Sequence, residues 1–319
     1  MKKNILLLET IAPEAMEILE KATDVALHFG FDSKTIKEIT DQNEIHGIIT
    51  RGIGKVNEEL MTACPKLEVA ARCGVGLDNL DVKTASEKNI KIVNTPGANA
   101  NTVAEHTIAL MLILQRNMYT AINDVKSGNW AARATFKSDE LNEKTIGIMG
   151  LGNIGLKVAN IAQVLGMKVI YWSQNPKDVP YERVSQAEIF ERSDVISLHL
   201  SLNPETEGII SAENLAKCKP TAIIINTARG QLVNKEAMVQ ALHANKLGGY
   251  GADVPTTPPP TKDDELTSHP KAIITAHVSS LTANTYKNMS ITTANNVLSI
   301  LRNHAIDSKF IFNLKDLKL

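Results

Sequence analysis

The sequence predicts an α/β protein with a doubly wound parallel sheet, and three observations carry that prediction. Short apolar runs alternate with helix-compatible stretches, the pattern of βαβ units. From Thr145 the alternation becomes regular, with six strand candidates, the count of one doubly wound dinucleotide-binding domain. Between the first two lies Gly150-Leu151-Gly152-Asn153-Ile154-Gly155, a G-x-G-x-x-G turn after a strand and before a helical pattern. At 319 residues, and roughly 150 per domain, a second domain is expected.

The first element is the run Ile5-Leu6-Leu7-Leu8, which ends at Glu9. It is too short for the apolar core of a signal peptide and reads as a buried strand. Gly47–Thr50, Leu67–Ala71 and Ile90–Val93 follow as strands of a separate N-terminal α/β unit of four or five strands. Asn99–Gln115 is helix-like, with Glu105 and His106 opening an apolar run placed to bridge the two units. The six later strand candidates are Thr145–Met149, Lys168–Trp172, Val195–Leu200, Ala222–Asn226, Gly249–Asp253 and Ala272–Ala276. Val254–Pro260 must be loop, because proline donates no backbone hydrogen bond and disfavours helix in the residue before it. Ala283–Asn303 reads as a final helix, and the pattern leaves open whether it returns to the first unit.

Composition bounds the function. Lys and Arg number 34 against 35 Asp and Glu, a net charge of −1 that argues against a nucleic-acid binder. Cys64, Cys73 and Cys218 are odd in number and scattered, so no disulfide framework or metal site is expected, and a cytoplasmic location fits. The longest apolar run, Ile108–Leu114, is far below the ~18 residues of a membrane span.

The glycine turn has a direct physical reading. Gly150 permits the tight turn, Gly152 lets backbone approach a pyrophosphate, and Gly155 lets helix and strand pack closely. The N–H groups of Asn153 and Ile154 begin the helix, whose dipole faces the anion. At the end of the next strand a carboxylate for the adenosine ribose is expected, but the chain reads Ser173-Gln174-Asn175. The charge that repels a 2′-phosphate is missing, no arginine follows, and Lys177 is a loose candidate. Both NAD and NADP stay open.

Chemistry in an open α/β sheet sits beyond the carboxyl ends of its strands. Three such ends carry Thr227-Ala228-Arg229, Asp253, and His277-Val278-Ser279. Arg229 offers a planar fork to a carboxylate, and His277 can exchange a proton near neutral pH. Facing a nicotinamide, that pair suits hydride transfer to a 2-keto acid.

Several segments together resemble the D-isomer-specific 2-hydroxyacid dehydrogenase family over nearly the whole chain. They are Arg72-Cys73-Gly74-Val75-Gly76-Leu77-Asp78-Asn79, Asn94-Thr95-Pro96-Gly97, Val103-Ala104-Glu105-His106-Thr107, the glycine turn, Leu198 to Thr206, Asn226 to Gly230, and His277. Arg72 to Asn79 and Thr50-Arg51 look most like the phosphoglycerate dehydrogenase and hydroxypyruvate/glyoxylate reductase branches. The resemblance implies a flavodoxin-like α/β substrate domain made of residues 1–98 plus 284–319. The Rossmann dinucleotide-binding domain, 99–283, is inserted into it. A closing cleft and a homodimer are implied, with a small 2-keto or 2-hydroxy acid as ligand; the short apolar runs already leave no membrane partner expected. The Val75-Gly76 backbone and Arg229 would bind the substrate carboxylate, Arg51 would add a cation, and Asp253 would hold the nicotinamide carboxamide. The cofactor set expected is Gly150, Gly152, Asn153, Ile154, Gly155, Ser173, Gln174, Asn175, Thr206, Thr227, Ala228, Asp253 and Ser279. The chain's end soon after the final helix leaves no room for the regulatory domain of longer phosphoglycerate dehydrogenases.

One departure stands out. The family places a glutamate before a proline to pair with the histidine, and here Thr257 takes that position. Asp263, Asp264 and Glu265 are substitutes only if the loop folds back, and a solvated acidic turn is the plainer expectation. His106, His199 and Cys73 read as structural, and Trp130 and Arg133 as loop residues that could reach a partner subunit. Two functions follow: an NAD(P)-dependent reductase of 2-keto acids such as glyoxylate or hydroxypyruvate, and, motivated by Thr257, a dinucleotide-binding sensor or scaffold with weak or lost catalysis.

Overall fold

The computed structural model describes residues 2–318. The chain divides into two compact units, Met1–Asn99 with Leu281–Leu319, and Ala100–Ser280. The first carries strands β1 (Lys3–Leu7), β2 (Val25–Phe29), β3 (Ile45–Thr50), β4 (Val69–Arg72) and β5 (Lys91–Val93). All their pairings are parallel, in the order β2-β1-β3-β4-β5, the flavodoxin-like order. The second carries β6 (Thr145–Met149), β7 (Lys168–Trp172), β8 (Glu182–Arg183), β9 (Val195–Leu198), β10 (Ile223–Asn226), β11 (Gly249–Ala252) and β12 (Ala272–Ile274). These form a parallel sheet in the order β12-β11-β10-β9-β6-β7-β8. The strand order reverses on either side of β6, which makes the sheet doubly wound.

Burial explains the apolar runs. Every residue of β9 and β10 is buried, as a central parallel strand covered by helices on both faces requires. At roughly 1.5–3 kcal/mol for each fully buried isoleucine, these strands anchor the second unit. Edge strands are harder to read from sequence. β2 has a mostly half-exposed pattern, and β8 is a two-residue strand that makes the sheet seven-stranded rather than six.

The final helix, Ala283–Leu301, belongs to the first unit. Its Ala294, Val297, Leu298 and Leu301 share a core with Ile5, Leu7, Ile49, Val69 and Val93. Beyond it the chain covers the edge of β5. Phe312 N–H donates to the Ile92 carbonyl, and the buried Asn313 side chain bonds the backbone of Ile90 and Ile92. No helix among the described residues is long and apolar enough to cross a membrane.

Candidate active site

In the second unit the site is built at the carboxyl ends of the strands. β6 runs into Gly150, whose φ of +94° is left-handed; a Cβ there would lie 2.6 Å from the His199 carbonyl oxygen. A Cβ on Gly155 would lie 2.2 Å from the Gly150 carbonyl, so the strand-to-helix turn closes only with glycine at both positions. At Gly152 nothing lies within 4 Å of an added Cβ. That open space is where backbone can meet a pyrophosphate. Gly152 also begins the helix Asn153–Val164, which no side chain caps, so its first N–H groups face the same space. The turn therefore fits a dinucleotide.

At the end of β7, Ser173 is buried and its hydroxyl donates to the Asn175 carbonyl at 2.5 Å. Gln174 Nε2 donates to Glu205 at 3.1 Å. Thr206 is committed to its own turn, donating to Ser201 O at 2.7 Å and accepting from Asn203 N–H at 2.9 Å.

The end of β10 is shaped by Asn226, a buried residue the sequence did not single out for a role. Its Oδ1 accepts from Ala228 N–H at 3.0 Å and its Nδ2 donates to Arg229 O at 2.8 Å, bending Thr227–Arg229 outward. Thr227 pairs with Thr107 at 2.8 Å, and the Arg229 guanidinium donates to Ala228 O at 2.8 Å.

Asp253 organises the next two strand ends. It is fully buried; its Oδ1 accepts from Thr275 Oγ1 at 2.6 Å and Val278 N–H at 2.9 Å, and its Oδ2 from Ser279 N–H at 2.8 Å. Its own carbonyl takes the His277 N–H at 2.8 Å. Burial pushes the Asp253 carboxyl up, but these hydrogen bonds outweigh it and hold the pKa below the ordinary value. The clamp fixes His277 at φ +56°, a left-handed conformation rare for a non-glycine residue, with the side chain exposed. His106 adds to it: Nε2 is 2.9 Å from Thr275 Oγ1 and 3.6 Å from Asp253 Oδ1. Sequence reasoning placed His106 as a satisfied polar residue and missed that its partners belong to this clamp.

Thr257 is exposed in the proline-rich loop. Of the acidic residues after it, Asp264 pairs with Lys235 at 2.6 Å and caps the helix Glu265–Ser268, and Glu265 pairs with His243 at 3.1 Å. Both are engaged elsewhere. His199 bonds Ser197 at 2.9 Å, and burial pushes its pKa down to about 3, so it stays neutral. Burial raises the Cys73 thiol to about 11, leaving it unreactive.

In the first unit, Arg51 follows β3, and Val75 and Gly76 follow β4. The Val75 carbonyl accepts from Asn94 Nδ2 at 2.7 Å, and the Gly74 carbonyl from Thr95. The N–H groups of Val75 and Gly76 have no acceptor among the described residues. Glu9 shapes the Arg51 loop and was not anticipated as a site residue. One of its oxygens accepts the N–H groups of Arg51, Gly52, Ile53 and Gly54 at 2.7–3.0 Å and the Thr50 hydroxyl at 2.8 Å. Burial raises its pKa, but the backbone hydrogen bonds outweigh that and hold it low. Arg51 itself lies 3.8 Å from the other oxygen and stacks over Tyr286 at 5.5 Å.

Residues 108–279 match the family described as D-isomer specific 2-hydroxyacid dehydrogenase, NAD binding domain. The chain is 40% identical over 252 residues to a hydroxypyruvate reductase of Thermotoga maritima, covering 78% of this chain and 82% of that one. The chain belongs to the D-isomer-specific 2-hydroxyacid dehydrogenase family. A glyoxylate reductase from Paecilomyes thermophila superposes with a TM-score of 0.86 at 32% identity, over 96% of this chain and 97% of that one. A D-3-phosphoglycerate dehydrogenase of Synechocystis is 34% identical over 93% of this chain, which spans 54% of its length. The chain thus spans about half of that longer relative. As a family member it is an oxidoreductase of 2-hydroxy acids that uses NAD or NADP.

Proposed function

We propose that this dehydrogenase reduces a small 2-keto acid, hydroxypyruvate or glyoxylate, to its D-2-hydroxy acid. The carrying observation is the placement of Arg229 and His277 at two carboxyl ends of the sheet that also holds the glycine turn, with His277 locked by Asp253. Bound NAD(P)H supplies the hydride. Arg229 binds the substrate carboxylate and polarises the carbonyl; in the first unit, the Val75 and Gly76 N–H groups and the Arg51 charge are the groups suited to a carboxylate. The His277 imidazolium gives its proton to the carbonyl oxygen as the carbon is reduced. The cofactor set is the glycine turn with Asn153 and Ile154, the Ser173–Asn175 segment, Thr206, Thr227, Ala228, Asp253 and Ser279. Thr257 favours a second reading, a dinucleotide-binding sensor or scaffold with weak catalysis.

A homodimer is supported by the helix Met118–Lys126, whose Met118, Tyr119, Ile122 and Val125 form an exposed apolar stripe beside exposed Trp130 and Phe136. A cytoplasmic location is supported by three free cysteines. A panel of 2-keto acids with NADH and NADPH tests the enzyme reading. Turnover near 1 s⁻¹ or faster supports it, and no turnover on any acid leaves the sensor.

A further inference from the structure

We propose that Arg183 makes this enzyme select NADPH over NADH by gripping the adenosine 2′-phosphate. The inference rests on the reading of Gly150–Gly155 as the pyrophosphate cradle. In a doubly wound sheet the adenosine ribose lies at the end of the strand after the glycine turn, here β7. That end carries Ser173, Gln174 and Asn175, so no carboxylate follows the strand to repel a phosphate.

The cation comes from the neighbouring strand. β8 pairs with β7 in the register Tyr171↔Arg183, and the Arg183 side chain reaches past the strand end. Its Nη2 donates to the carbonyls of Ser173 at 3.0 Å and Gln174 at 3.1 Å. Two hydrogen bonds from one nitrogen fix the plane of the guanidinium beside the ribose position. Nε and Nη1 have no protein acceptor among the described residues, and no carboxylate there lies within 4 Å of the group. The contrast with Arg192 is direct, since that side chain is held by both Glu182 and Glu188. A planar fork with unspent donors and uncompensated charge suits a phosphate. The opposing group is Glu205, which accepts from Gln174 Nε2 at 3.1 Å. Were Glu205 to take the ribose hydroxyls instead, the preference would invert.

The test is the dissociation constant of NADPH and of NADH for the full chain, by calorimetry, in wild type, Arg183→Gln and Arg183→Lys. Wild type should bind NADPH at least ~10-fold tighter than NADH, the scale of a charge-assisted contact. Arg183→Gln should weaken NADPH ~10- to 100-fold and leave NADH within ~2-fold, with Arg183→Lys between, as a point charge without the fork. A wild-type preference for NADH, or a Gln variant that weakens both dinucleotides equally, overturns the proposal while the cradle reading stands. Failure of wild type to bind either dinucleotide overturns both.

Discussion

Replacing Asp253 by asparagine probes the clamp with almost no change of shape. The carboxylate accepts from Thr275 and Val278 on one oxygen and from Ser279 N–H on the other. An amide keeps one acceptor and turns an NH₂ toward one of those N–H groups. One charge-assisted hydrogen bond is lost and a buried donor is left unpaired, together about 3 kcal/mol. For a domain of this size that lowers Tm by roughly 6–12 °C. With His277 displaced, kcat should fall about 100-fold. The folded-state pKa of Asp253 is depressed, so its contribution to stability is complete above the unfolded value of about 3.9 and is lost as pH falls through the folded value. The gap between wild type and Asp253→Asn should therefore narrow in acid. Thermal unfolding of both proteins without dinucleotide, so that no cofactor contact contributes, checks this from neutral to acid pH. An Asp253→Asn protein that melts with wild type at neutral pH would refute the clamp.

Gly152→Ala adds a methyl group to open space, so it should leave Tm unchanged while weakening NADH and NADPH about 10-fold; equal affinity would show that the turn is not the cradle. Thr257→Glu places a carboxylate where the family carries its glutamate, and a carboxylate beside His277 favours the imidazolium. The pH at which the reduction rate falls should rise by about one unit, and an unmoved pH–rate profile would count against that role for position 257.

The central strands were legible because burial on both faces leaves an unbroken apolar signature, as in Val195–Leu198 and Ile223–Asn226. Edge strands carry no such signature: Val25–Phe29 is mostly half exposed, and Glu182–Arg183 consists of two charged residues. The placement of Arg229 and His277 just beyond strand ends could be read, because apolar runs mark the strands and strand ends are where an α/β sheet does its work. What shapes them could not. Asn226, Glu9 and His106 act through bonds to backbone or to residues distant in sequence, and one sequence holds no record of those partners. Arg183 escaped for the same reason, since it reaches the ribose position from a strand ten residues further on rather than from the end of β7.

The central claim is that Arg229 and His277 perform the reduction on a dinucleotide held by the glycine turn. Its most direct measurement is turnover of hydroxypyruvate and glyoxylate by His277→Ala, alongside the dissociation constant of the reduced dinucleotide. The account predicts a kcat at least ~100-fold below wild type, the ordinary contribution of a positioned acid, with cofactor affinity unchanged. A His277→Ala enzyme that turns over at the wild-type rate would contradict it.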